Sequence, residues 1–230
     1  MTHTGVSPQK KEIVYVRNAT NRLLHWTMFF SVMVLLVTGY YIGDPTLILG
    51  AGEATDTTVM ADIRLIHFIG AMFLDVSILI RFYLAFFSMY HRDWIELMPV
   101  PGRVIGAMKI AASYFTFKKP PFYLHVDPLD GLTFLALHLF MVLQLMTGFT
   151  LYVHALPTDW WWTQLIHVMT DPVTDIFGGD QNVRLIHHLM LWIMISGIIV
   201  HLYIQVAKTI IWRDGHIAAI FGGYKYRDVK

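Results

Sequence analysis

Four apolar runs dominate the chain, at residues 21–43, 63–89, 131–153 and 184–212, and polar stretches separate them. A helix rises about 1.5 Å per residue, so about 20 residues span the hydrocarbon of a bilayer. Every run meets that length. Together they predict an all-α fold, an integral membrane four-helix bundle, with residues 1–230 forming a single domain. The first run is too long for the apolar core of a cleaved leader and reads as a span that stays. The second run carries Asp75 and Arg81, and the fourth carries three histidines. Such groups are expected to face the bundle interior, because lipid cannot solvate them.

The connections differ in kind. Residues 90–130 form a long one between the second and third spans, with Pro99, Pro101, Pro120 and Pro121. Its stretch Gly102–Phe117 is amphipathic and basic, as an interfacial helix would be. The connection 154–183 carries Trp160, Trp161 and Trp162 and the pair Gly178-Gly179. Three adjacent indoles read as an aromatic belt at the membrane surface or as a docking surface for a partner outside the cytoplasm. Fifteen of the seventeen Lys and Arg lie in the N-terminal tail, the 90–130 connection and the C-terminal tail, counting helix-end residues with them. The other two connections hold eight acids, with Arg64 and Arg184 at their helix ends as the only bases. That segregation places both termini, and the long connection, in the cytoplasm.

Composition narrows the chemistry. The chain is 56% hydrophobic and 14% charged, with a mean hydropathy of +0.53. Its surroundings are therefore membrane lipid, and no nucleic-acid partner is expected. Cysteine is absent, which excludes disulfides, iron–sulfur clusters, thiolate zinc sites and covalently attached haem.

Three tetrapeptides repeat: Arg22-Leu-Leu-His25, Arg64-Leu-Ile-His67 and Arg184-Leu-Ile-His187, and His201 follows His187 by fourteen residues. The first and third spans run outward, the second and fourth inward. His25 therefore lies near the inner surface and His67 and His187 near the outer one. Fourteen residues, about 21 Å of helix, return His201 to the inner side, within about 40° of the His187 face. Thirteen residues would turn His188 about 140° away, so His187 is the better ligand. Two pairs result: His67 with His187 outside, and His25 with His201 inside. Zinc would need three or four donors at one depth. Two imidazoles instead fill both axial positions of a low-spin haem, which carries electrons and leaves no open position for substrate. Two haem b groups are expected. Histidines acting only as polar links between helices are the bland alternative.

Arginine is the next signal. Arg64 and Arg184 precede their histidines by three residues, on the same face and nearer the surface, where propionates of an outer haem would point. Arg22 stands likewise toward the inner haem, or as an interfacial anchor. Arg81, fourteen residues after His67, reaches inner-haem depth. Gly39 lies at outer-haem depth on the His25 face and Gly70 one turn from His67, where small residues would admit a macrocycle or pack helices. Asp75 reads as a proton relay, a partner of Arg81 through water, or a structural hydrogen-bonding group. His138 reads as a packing residue, and His3, His91, His154, His167 and His216 as mostly solvated loop or tail residues. His125, Asp127 and Asp130, at the entrance to the third span, suit proton handling near a quinone or plain helix capping.

These residues resemble the b-type cytochrome subunit of membrane-bound nickel-iron hydrogenases, within the four-helix dihaem cytochromes b. Arg22-Leu-Leu-His25-Trp26 followed by Val37-Thr38-Gly39-Tyr40 looks like that family's first-helix signature, with Thr27 where many relatives have an aliphatic residue. His187-His188 with Trp192 and His201 looks like the last. The resemblance implies residence in a bacterial inner membrane and electron transfer from the small subunit of a periplasmic hydrogenase, itself joined to a large subunit. It further implies outer haem first, then inner haem, then membrane quinone, with no hydrogen-activating site in this chain. The same fold serves periplasmic formate dehydrogenases, and a proton-coupled transporter using Asp75, Arg81 and histidines is the rival from another class.

Overall fold

The computed structural model describes residues 10–45, 58–89, 92–116, 118–157 and 159–228; His3 and His91 lie outside them. Helix α1, Ala19–Gly43, starts where the Asn18 side chain accepts the N–H of Asn21 at 2.8 Å, an N-cap that satisfies one orphan donor. Helix α2, Val59–Phe87, returns. The short α3, Trp94–Leu97, and α4, Pro101–Thr116, fill the long connection. Helix α5, Pro128–His154, is capped by Asp127, whose Oδ1 accepts from the N–H groups of Leu129 and Asp130, and has Pro128 at its first position, where no N–H is needed. Helix α6 spans Trp161–Phe177 and α7 Asp180–Ala207. A π-helical turn, Lys208–Trp212, continues α7, and α8, His216–Gly222, follows.

Helices α1, α2, α5 and α7 with its π-helical extension are long and apolar enough to cross a membrane. They coincide with the four expected spans. Large apolar side chains such as Val37, Met72, Leu79, Phe87 and Ile199 cover their outer surfaces, which water would penalise and lipid accepts. Helix α1 packs along α2, and α5 along α7, while the two pairs approach each other sparsely. Between them, at mid-depth, sits a packed layer of Val32, Leu74, Ile78, Met141 and Met194. Val32 lies seven residues after His25, Leu74 seven after His67, and Met194 midway between His187 and His201. Seven residues are two turns, about 10.5 Å. An apolar plug therefore separates two histidine levels.

Two features depart from the sequence reading. The connection 154–183 contains a full helix, α6, which buries Thr163, Thr170 and Val173 and leaves Trp161, Leu165, Val168, Met169 and Ile176 exposed. It ends at Gly178, whose φ of 76° lies in the left-handed region that glycine adopts without strain. The tails are not merely extramembrane polar segments either. Strand β1, Lys11–Tyr15, pairs antiparallel with β2, Tyr224–Asp228, with Val14 opposite Lys225. This ties the two ends of the chain together under the bundle. The expected amphipathic segment is α4, whose buried face of Ala107, Ile110 and Ser113 packs toward α5 while Lys109 faces out.

Candidate haem-binding site: two facing pairs of imidazoles

The four histidines fall at two ends of the bundle. At the end far from the termini, His67 of α2 and His187 of α7 lie within electrostatic reach of one another; at the termini end, His25 of α1 and His201 of α7 do the same. His188 turns elsewhere, its Cε1 lying 3.9 Å from where a Cβ on Gly43 of α1 would sit. His187 faces α5 instead.

Hydrogen bonding fixes the far-side pair. Thr38 Oγ1 donates to Val34 O at 2.7 Å and lies 2.8 Å from His67 Nδ1. Thr147 Oγ1 donates to Leu143 O at 2.9 Å and lies 2.9 Å from His187 Nδ1. A threonine hydroxyl has one proton. With that proton given to a backbone carbonyl, each oxygen must accept from imidazole Nδ1–H. Both Nε2 atoms are then unprotonated, with lone pairs available to a metal. Gln144 agrees with this tautomer, because its Nε2 amide lies 3.4 Å from His187 Nε2 and donates to His187 O at 3.1 Å.

Glycines make the room. A Cβ on Gly148 of α5 would stand 2.9 Å from His187 Cε1, and one on Gly39 of α1 3.3 Å from His67 Cε1. Side chains there would displace the rings. Gly70 has a different job: its missing Cβ lets Val34 and Leu35 of α1 pack close, the helix-packing reading rather than the macrocycle one.

The termini-side pair has other surroundings. His25 Nδ1 and His201 Nδ1 are buried with no hydrogen-bond partner among the described residues. Charges surround them instead. Arg17 lies within electrostatic reach of both rings and Asp130 and Lys208 within reach of His201. The Arg17 guanidinium sits over the Phe134 ring at 5.9 Å, and that ring lies 5.5 Å from His201. Arg17 went unnoticed in the sequence because it precedes the first span; only its fold-back under α1 brings it here.

The expected propionate partners divide. Arg64 and Arg184 are exposed at the far end of α2 and α7. Arg22 Nη1 donates to Phe221 O at 3.0 Å, at the end of α8. Arg81 pairs through both terminal nitrogens with Asp93, at 3.0 and 2.6 Å, rather than with Asp75. His138 behaves as a packing residue, its Nδ1 lying 2.6 Å from Phe134 O.

Below the termini-side pair lies a buried ionic cluster that single-residue reading did not assemble. Lys208, 1% exposed, donates to Asp127 Oδ2 and lies 2.7 Å from Asp130 Oδ1. Gln205 donates to the same Asp130 oxygen at 2.9 Å. His216 Nε2 is 3.6 Å from Asp130 Oδ2 and its Nδ1 2.6 Å from Asp214 Oδ2. Lys225 Nζ donates to His216 Nε2 at 3.1 Å. His216 is thus a buried tail residue, not a solvated one, whereas His125 is exposed. Although Asp127, Asp130 and His216 cluster as metal donors would, the Lys208 ammonium already occupies the cationic position between the carboxylates. Burial pulls the Lys225 ammonium down to about 8, with Arg17 adding to the shift. Burial and the neighbouring Asp130 push the Asp127 carboxyl above its usual range, against the opposing pull of Lys208.

A four-helix membrane bundle with a pair of imidazoles at each of two levels fits the class of membrane cytochromes b. The chain belongs to the prokaryotic cytochrome b561 family, whose model matches residues 16–223. Among its relatives are two named "Probable Ni/Fe-hydrogenase B-type cytochrome subunit". The one from Azotobacter vinelandii is 33% identical over 221 residues, covering 94% of this chain and 90% of that protein. The one from Bradyrhizobium diazoefficiens is 34% identical over 222 residues, covering 94% and 87%. A third relative, the corresponding subunit of hydrogenase 1 from Escherichia coli K12, is 29% identical over 219 residues, covering 92% and 90%.

Proposed function

We propose that this chain is the electron conduit of a Ni/Fe hydrogenase complex in a bacterial inner membrane, with both termini cytoplasmic. It binds two haem b groups, receives electrons at its far face from the hydrogenase small subunit, and delivers them to a membrane quinone at its termini face. The observation that carries this reading is the pairing of four imidazoles at two depths, with the far-side tautomers held by Thr38 and Thr147. His67 and His187 would hold one haem, and His25 and His201 the other. Arg64 and Arg184 are the propionate partners on the far side. Arg17 joins Arg22 on the termini side, and Arg81 acts there only by sharing its guanidinium with Asp93. Haem held by these imidazoles would supply one-electron transfer. The names of the relatives favour a hydrogenase over a formate dehydrogenase as the partner.

Quinone reduction takes up two protons with its two electrons, so the quinone site needs donors as well as a nearby haem. The ionic cluster at the entrance to α5 supplies them. A recess lined by Lys119, Pro121, Phe122, Tyr123 and Trp212 opens beside Asp127, Lys208 and His216. Its walls are largely apolar, and at about 30 Å³ it would have to widen by side-chain movement to admit a quinone ring. Asp127, with its raised carboxyl, and His216 then hold and pass protons taken from the cytoplasm. The π-helical turn that aims Lys208 inward is a kind of distortion frequent at functional sites. The test is hydrogen-dependent reduction of a soluble quinone analogue by the assembled complex carrying Asp127→Asn. Quinone reduction should fall at least about tenfold while hydrogen still reduces both haems. Undiminished quinone reduction would move the site away from this end.

A further inference from the structure

The far end of the bundle holds a second cluster of donors, apart from the haem-ligand pairs. His154 is the last residue of α5; His167 and Asp171 lie one turn apart on α6; Asp180 opens α7. The sequence suggested that both histidines are solvated loop residues. Instead their rings stack, with centroids 4.9 Å apart and planes at 22°. Asp171 Oδ1 lies 2.9 Å from His167 Nδ1 and 3.2 Å from His154 Nε2. The edge of a tetrahedral site with bonds of about 2.0–2.1 Å is roughly 3.3 Å. Two of the three donor separations are therefore already near the metal-bound value, and all three donors fall within 4.8 Å.

The surroundings also match a metal site. His154 Nδ1 lies 2.8 Å from Asp180 Oδ1, and Thr174 Oγ1 donates to that same oxygen at 3.3 Å. A carboxylate on the remote ring nitrogen fixes the tautomer that leaves Nε2 its lone pair, an arrangement found behind most metal-bound histidines. His154 Nε2 is buried and, although near Asp171, lacks the alignment of a hydrogen bond; His167 turns Nδ1 to the site, and its proton, now given to Asp171 Oδ1, would leave when an ion binds. Asp171 is more than half exposed, which leaves an entry path. In contrast to the Asp127 cluster, no ammonium of the described residues sits among these donors.

We propose that His154, His167 and Asp171 form a binding site for a divalent transition ion, zinc by preference, on the far face of the bundle. Two imidazoles and a carboxylate with a fourth position open to water suit zinc. The ion clamps the end of α5 to α6 and, through Asp180, to the start of α7. It thereby fixes the amphipathic helix that covers the far end.

The test uses the protein as purified from membranes with its haem complement, stripped by a chelator and then equilibrated with zinc chloride. About one zinc per chain should survive dialysis, and zinc K-edge absorption should show nitrogen and oxygen donors at about 2.0–2.1 Å with imidazole scattering. His154→Ala, His167→Ala and Asp171→Asn should each abolish retention, and Asp180→Asn should weaken affinity about 10–100-fold. Changing the exposed His125 should leave retention unchanged. Variants count only when their haem spectra match the unaltered protein. Asp171→Asn, isosteric and on the surface, keeps the test open should an imidazole variant fail to fold. Absence of retained zinc in the unaltered protein overturns the proposal, as does full retention in the His154, His167 or Asp171 variants, which identifies adventitious binding only.

Discussion

The two histidine levels share a ligand type and differ in what stands behind the ligands. On the far side each imidazole gives its Nδ1 proton to a threonine that is itself anchored to its own helix backbone. On the termini side neither Nδ1 has a partner among the described residues, and the neighbours are Arg17, Asp130 and Lys208. The first environment backs each ring with a neutral hydroxyl that fixes one tautomer. The second is charged, connected to groups that titrate, and adjacent to a recess. On the proposed function, one end would hold its haem in one fixed ligand geometry, and the other would lie beside groups that exchange protons. On that proposed function, the asymmetry suits a conduit from an electron donor at the far side to a proton-consuming acceptor at the termini side.

The largest expected effect falls on the termini side. Lys208→Met leaves Asp127 and Asp130 buried without their cation, a change that costs about 3–5 kcal/mol when one partner of a buried pair is removed. Thermal unfolding followed by circular dichroism should show a severe loss, and recovery in Lys208→Met combined with Asp127→Asn and Asp130→Asn would show that unpaired charge is the cause. Next comes the far side. Gly148→Ala drives a methyl into the His187 ring and should cost about 1–3 kcal/mol as overpacking, with loss of the far-side haem signal in low-temperature spectra. Gly39→Ala meets its ring at 3.3 rather than 2.9 Å and should do less. An equal effect of both would mean that α1 and α5 do not differ in how closely they approach their rings.

Smaller effects should separate the two environments by electrochemistry. Thr38→Val removes the acceptor for His67 Nδ1–H, making the imidazole a weaker donor to ferric iron. The far-side midpoint potential should rise by tens of millivolts, since about 1.4 kcal/mol corresponds to about 59 mV for one electron; the termini-side potential should not move. The pH dependence should run the other way. Lys225, drawn down to about 8, loses a positive charge as pH rises through that value. A lost cation favours the more positive ferric form, so the termini-side potential should fall across pH 7–9, by at most about 59 mV per unit. Lys225→Met should flatten that slope. A far-side potential that falls equally would erase the distinction between the two ends.

The spans and the depths of the four histidines were legible because both follow from helix periodicity, which a single sequence carries. The threonines were within reach as well. Thr38-Gly39 and Thr147-Gly148 are the same dipeptide on two spans, a repeat that marks both threonines. Other features depend on contacts across great sequence distance. Asp127 and Lys208 are 81 residues apart, and β1 meets β2 from opposite ends of the chain; no local pattern announces either. Helix α6 was hidden differently. Its tryptophans suggested a membrane belt, and Pro172 and the glycine pair broke up what is in fact one amphipathic turn after another, ending at Gly178.

Haem stoichiometry in single-histidine variants tests the central claim most directly. The unaltered chain should release two haem b per polypeptide. His67→Ala and His187→Ala should each lose the same haem, His25→Ala and His201→Ala the other, and His188→Ala neither. Two haems retained after any of the four changes, or a chain that binds none when fully assembled, would contradict it.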